Sequence, residues 1–204
     1  MERESYFDGG LLQLIGYEML GILVTVLTLG ICLPWACTMV YSWEAKHTVI
    51  NGERLRFDGT AIELFGNWIK WLFLTIITLG IYGLWVGIKL DKWKASHTHT
   101  ESGIQMVSDF DGGLLQYIGW SLLGAMVTIV TLGICLPWSY TMVYSWETRH
   151  TVIDGRRLDF DGTAIELFGN WIKWLLLSVI TLGIYTLWIG IKLKKWRISH
   201  TYYV

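Results

Sequence analysis

Apolar stretches alternate with short polar ones in a pattern that recurs four times along the 204 residues. Each copy opens on Phe-Asp-Gly (Phe7, Phe57, Phe110, Phe160), runs through an apolar stretch to Thr-Leu-Gly-Ile (28–31, 78–81, 131–134, 181–184), and closes on a His-Thr pair at His47, His97, His150 or His200. One Trp follows the Thr-Leu-Gly-Ile element (Trp35, Trp85, Trp138, Trp188), and another stands near the end of the copy (Trp43, Trp93, Trp146, Trp196). Met19 to Trp43 and Met126 to Trp146 contain no charge, and uncharged runs of that length are candidates for crossing a bilayer. Thr-Leu-Gly-Ile reads as a break within each run. Gly suits the left-handed position just past a helix end, and Pro34 or Pro137 suits the first turn of a following helix.

The pattern therefore predicts helical hairpins, with arms such as Leu11 to Leu29 and Ile31 to Lys46 about 28 and 24 Å long at ~1.5 Å per residue. A single bent membrane helix per repeat, such as Trp71 to Ile88, is the alternative, giving four crossings rather than eight. A third option lays the second arm flat in the headgroup region. Hairpins would put all 16 Lys and Arg on one face, as cytoplasmic loops require. Between repeats, Asn51-Gly52 and Asp154-Gly155 sit in β-branched and alternating surroundings and predict two-residue β-hairpins. The connector from Thr98 to Ser108 reads as the same hairpin with a longer loop.

Residues 5–98 and 108–201 match at most positions, including the unbroken stretch Phe57 to Leu72 against Phe160 to Leu175. The chain thus divides into a first half, 1–104 (repeats 5–50 and 55–100), and a second, 105–204 (repeats 108–153 and 158–204). Two near-identical halves predict a pseudo-two-fold pair.

Composition sharpens the expected class. Apolar residues make up 53% of the chain, 13 residues are Trp, and mean hydropathy is +0.43. The expectation is an all-α integral membrane protein of four tandem hairpin repeats, multi-pass in a bacterial inner (cytoplasmic) membrane, with the lipid bilayer as its partner and room for a homo-oligomer. Met1 to Ser5 is polar and lacks the features of a signal peptide. Cys32, Cys37 and Cys135 are odd in number and lie in apolar runs, so they read as buried thiols. A net charge of −1 gives no basic footprint for nucleic acid.

Phe57-Asp58-Gly59-Thr60 with Glu63-Leu64-Phe65, Thr78-Leu79-Gly80-Ile81-Tyr82 with Trp85, and Ser96-His97-Thr98 together resemble the YjgN family (DUF898 domain) of bacterial inner-membrane proteins. The resemblance implies a polytopic membrane protein and brings no activity with it. This chain differs in its near-perfect duplication and small size.

Two sets of residues are candidates for chemistry. Gln13, Glu63, Gln116 and Glu166 occupy one equivalent position near the start of each first arm. Polar groups there would line an ion or solute path, or bond to backbone at headgroup depth. His47, His97, His150 and His200 would sense pH or cap the last helical carbonyls, and no second ligand at metal spacing accompanies them beyond His99. Asp8, Asp58, Asp111 and Asp161 read as helix N-caps or tight-turn residues. Without a nucleophile motif, phosphate loop or metal signature, the chain reads as a non-enzyme with no cofactor. The expected function is a small channel or transporter-like protein. Its alternatives are a membrane-shaping protein with Trp-rich hairpins in the bilayer and a membrane subunit of a larger complex.

Overall fold

The computed structural model describes residues 4–101 and 106–204. Met1 to Arg3 of the polar start and Ser102 to Gln105 of the central connector lie outside the described residues. The first half runs β1 (Tyr6–Phe7), α1 (Leu11–Leu27), α2 (Leu33–Lys46), β2 (Thr48–Ile50), β3 (Glu53–Phe57), α3 (Ala61–Ile77), α4 (Gly83–Ser96) and β4 (Thr98–Thr100). The second repeats it: β5 (Asp109–Phe110), α5 (Leu114–Val130), α6 (Leu136–Arg149), β6 (Thr151–Ile153), β7 (Arg156–Phe160), α7 (Ala164–Ile180), α8 (Thr186–Ser199) and β8 (Thr201–Tyr203). Every repeat is a strand, two helices and a returning strand, and the two strands pair antiparallel at the foot of the helical pair.

These elements correct the class expected from the sequence. The protein is not all-α: its strands form two antiparallel sheets, ordered β1-β2-β3-β4 and β5-β6-β7-β8. The transmembrane helices and the multi-pass inner-membrane localisation are overturned as well, because among the described residues no helix is long and apolar enough to cross a membrane. The physical reason is the break at Thr-Leu-Gly-Ile. It divides each run into arms of 17 and 14 residues, about 25 and 21 Å, against a hydrocarbon core of about 30 Å. Two helices per repeat also remove the single bent helix. Among the described residues β4 pairs with β3 and β5 with β6, not with one another, and the loop of the hairpin expected in the connector lies outside the described residues.

The break itself is a Schellman turn with an unusual occupant. Leu29 N–H donates to the Val26 carbonyl at 3.2 Å and Gly30 N–H to the Thr25 carbonyl at 2.7 Å, so the left-handed residue following the helix is Leu29, at φ +50°, with Gly30 next at +86°. Leu79, Leu132 and Leu182 repeat it at +50° to +51°. Thr28 stitches the turn, its hydroxyl donating to the Val24 carbonyl at 2.7 Å and accepting from Cys32 N–H at 3.1 Å.

The Phe-Asp-Gly motif is explained at the foot of each repeat. Phe7 meets Trp43 edge-on at 5.6 Å between ring centres, and Phe57–Trp93, Phe110–Trp146 and Phe160–Trp196 do the same at 5.5, 5.8 and 5.5 Å. The rings close over the glycine. A Cβ on Gly59 would stand 2.6 Å from the Phe57 ring and 2.8 Å from Trp93, which leaves room for hydrogen alone. The intervening aspartates are not the N-caps, which are Gly10, Thr60, Gly113 and Thr163. Instead Asp8 N–H donates to the His47 carbonyl at 3.0 Å, continuing the strand pairing, and its carboxylate meets Arg54 at 2.7 Å.

The four repeats close into a ring. α2 packs on β3 and α3, α4 on β5 and α5, α6 on β7 and α7, and α8 returns to β1 and α1. At the centre the sheets meet through Ala45, Ile50, Leu55, Ile153 and Leu158, all buried. The halves are also tied by polar bonds. Arg156 forks onto Glu53, and Tyr203 N–H donates to Asn51 Oδ1 at 3.3 Å.

Candidate functional site: a charged cavity on the ring axis

The second helix of every repeat ends facing the ring axis, where a cavity of about 400 Å³ opens. Two equivalent positions supply its charge. One reads Glu44, Lys94, Glu147, Arg197 around the ring, and the other, one turn earlier, reads Tyr41, Asp91, Tyr144, Lys194. Below them Thr48, Thr98, Thr151 and Thr201 turn their hydroxyls back to the carbonyls of Glu44, Lys94, Glu147 and Arg197 at 2.8 Å each, closing the helix ends.

The charges are unevenly matched. Lys94 Nζ donates to Glu44 at 3.2 Å, and Lys194 donates to the other carboxylate oxygen. Burial alone would raise the pKa of Glu44, but the two ammonium groups overcome it and hold the carboxyl at about 2. Lys94 also lies over the Tyr41 ring, 4.4 Å from its centre. Across the cavity Arg197 rests 3.6 Å from the centre of the Tyr144 ring and donates to the Tyr140 hydroxyl at 3.0 Å. Among the described residues no carboxylate stands within 4.0 Å of it. Asp91 and Glu147 likewise have no hydrogen bond or ion pair there. Burial, the leading influence on both, pushes their pKa values up.

The residues singled out from sequence lie elsewhere. Glu63 and Glu166 complete capping boxes with Thr60 and Thr163, each accepting the cap N–H and donating its own N–H to the threonine hydroxyl at 3.3 Å. Gln13 accepts from the Trp43 indole N–H at 3.3 Å, and Gln116 is exposed. None of the four lines the axial cavity, and among the described residues no hydrogen bond joins one to another.

The four histidines that close the repeats do the same local task. His47, His97, His150 and His200 direct Nδ1 at the carbonyl of Trp43, Trp93, Trp146 and Trp196, at 2.7–2.8 Å, and lie against the same indole rings. Nδ1 therefore carries the proton. Nε2 of His97 and His200 faces Glu63 and Glu166 at 3.6 and 3.5 Å, whereas His47 and His150 stand in repeats where glutamine replaces that glutamate. Among the described residues no group of three His, Cys, Asp or Glu side chains could hold a metal ion, and the three cysteines are free.

No family model, curated protein or solved structure matches this chain.

Proposed function

We propose that the protein is a bilayer-inserted structural module, which enters the lipid from one face through its four hairpin tips and shapes the membrane without crossing it. The observation that carries this reading is the tip leucine. Leu29, Leu79, Leu132 and Leu182 are 92–94% exposed, and each is held in a left-handed conformation that costs a residue other than glycine roughly 1–2 kcal/mol. A strained, fully exposed leucine gains nothing in water. Moved into hydrocarbon, each side chain gains roughly 2 kcal/mol, which offsets the strain.

The surroundings of the tips support the same environment. Met19, Ile22, Val26, Phe73, Ile76 and Ile129 are 62–73% exposed on the outer faces of the first arms, so the apolar surface is continuous from the tips downward. Ion pairs and sheets gather at the opposite end, as in Arg54–Asp8 and Arg157–Asp111. Trp35 and Trp138 pack on Phe65 and Phe168 between the two zones, where amphipathic rings suit a lipid interface.

Flotation with phospholipid vesicles tests the reading. The native protein floats with the vesicles and deforms them into tubules visible by electron microscopy, and replacing the four tip leucines by Glu abolishes both effects while helicity is kept. A quadruple variant that floats and tubulates like the native chain contradicts it.

A further inference from the structure

The axial cavity holds charges of both signs, and only some of them close on one another directly. Glu44 is in direct contact with Lys94 and Lys194, whereas among the described residues Arg197 donates only to tyrosine, and Asp91 and Glu147 feel Lys94, and Glu147 also Arg197, through space without a direct ion pair or hydrogen bond. All three open into the same space of about 400 Å³, within the range of small-molecule sites. Partly buried charges without a direct partner are costly, and a ligand bearing one charge would answer one wall and leave the other as it was. A metal cation is a poor fit, since the described residues offer no cluster to coordinate it.

The geometry points to a binding site for a small zwitterion in this cavity, its ammonium held between Asp91 and Glu147 and its carboxylate on the Arg197 guanidinium. Arg197 is suited to the second task, because one of its nitrogens donates to Tyr140 and the Tyr144 ring supports its plane, leaving further N–H groups for a planar carboxylate. Tyr41 and Tyr144 flank the space from opposite repeats, so a short aliphatic chain between the two charges has aromatic walls beside it. The site exists only where all four repeats converge. It does not depend on how the hairpin tips meet lipid.

Equilibrium dialysis of the full chain in detergent micelles at neutral pH tests this with γ-aminobutyrate, n-butylammonium and butanoate, which share one carbon skeleton. Saturable binding of γ-aminobutyrate, tighter by about tenfold or more than either single-charge probe, is expected. Arg197→Gln should bring γ-aminobutyrate down to the level of n-butylammonium, and Asp91→Asn with Glu147→Gln should bring it down to that of butanoate. Equal binding of γ-aminobutyrate and n-butylammonium by the native protein, or no saturable binding of γ-aminobutyrate, overturns the proposal. That three-probe comparison needs no variant, and circular dichroism identifies any variant that has lost its fold.

Discussion

The backbone N–H of Thr100 donates to Asp154 Oδ2 at 2.7 Å, and the Thr100 hydroxyl donates to the same oxygen at 2.8 Å. The two residues belong to different halves, and the bond carries the turn between β6 and β7 onto the edge strand β4. Asp154 stands at φ +47°, a conformation that Asp and Asn tolerate better than most residues. Asp154→Ala should cost about 2 kcal/mol, since it strands a buried N–H and hydroxyl, and Asp154→Asn should cost less. Urea unfolding of the two variants measures the difference.

The same carboxylate predicts a pH dependence. Burial pushes its pKa up, but the Thr100 N–H, the His99 ring and the Thr100 hydroxyl outweigh that and hold it below its ordinary 3.8. A carboxyl depressed in the folded state adds stability above its unfolded pKa and loses it as pH falls through the folded value. Stability should therefore drop as pH falls below about 4. Asp154→Asn should flatten that part of the profile.

Glu44 extends the argument to lower pH. With its pKa held at about 2 against an ordinary 4.5, its contribution is complete above 4.5 and disappears only as pH falls toward 2. Glu44→Gln removes the carboxylate that Lys94 and Lys194 contact directly and should destabilise by about 3 kcal/mol at neutral pH. The double variant Glu44→Gln with Lys194→Met should recover part of that loss, as thermal unfolding would show.

Two glycines separate packing from backbone effects. Gly59→Ala drives a Cβ into the Phe57 and Trp93 rings and should cost about 1–3 kcal/mol. At Gly66, inside α3, a new Cβ meets nothing within 4 Å, and alanine should stabilise by up to about 1 kcal/mol through helix propensity. Chemical denaturation of both variants in the same detergent decides this.

Much of the local structure is written in short-range chemistry. Asn51-Gly52 and Asp154-Gly155 take the positive φ angles that their residue types announce, and Pro34 and Pro137 stand in the first turn of α2 and α6. What lies beyond the sequence depends on length and on distance along the chain. Overall hydropathy sums both arms of a hairpin and conceals that neither alone is long enough to cross. Strands of two residues, Tyr6–Phe7 and Asp109–Phe110, are too short to show any alternation. Glu63 and Glu166 invite a reading as path-lining groups because they interrupt apolar runs, yet a Thr three residues earlier in each case signals the capping box that the structure displays. The axial cavity escapes because each contributor is a lone charge near a helix end. Aligning the four copies gives a usable signal, since the position of Glu44 reads Glu, Lys, Glu, Arg, an alternation of sign that a solvated face has no need to keep.

Single cysteines in a background lacking Cys32, Cys37 and Cys135 give the most direct test of insertion from one face. Placed at Leu79 on a hairpin tip and at Arg54 at the charged end, they are challenged with a membrane-impermeant maleimide, either outside proteoliposomes or sealed within them, after adding the protein from outside. The account predicts labelling at 54 from outside alone and no labelling at 79 from either side, because the tip ends within hydrocarbon. Labelling at 79 by the enclosed reagent would show that the hairpins traverse the bilayer, and labelling at 79 from outside would show that they never enter it; either result contradicts the proposed insertion.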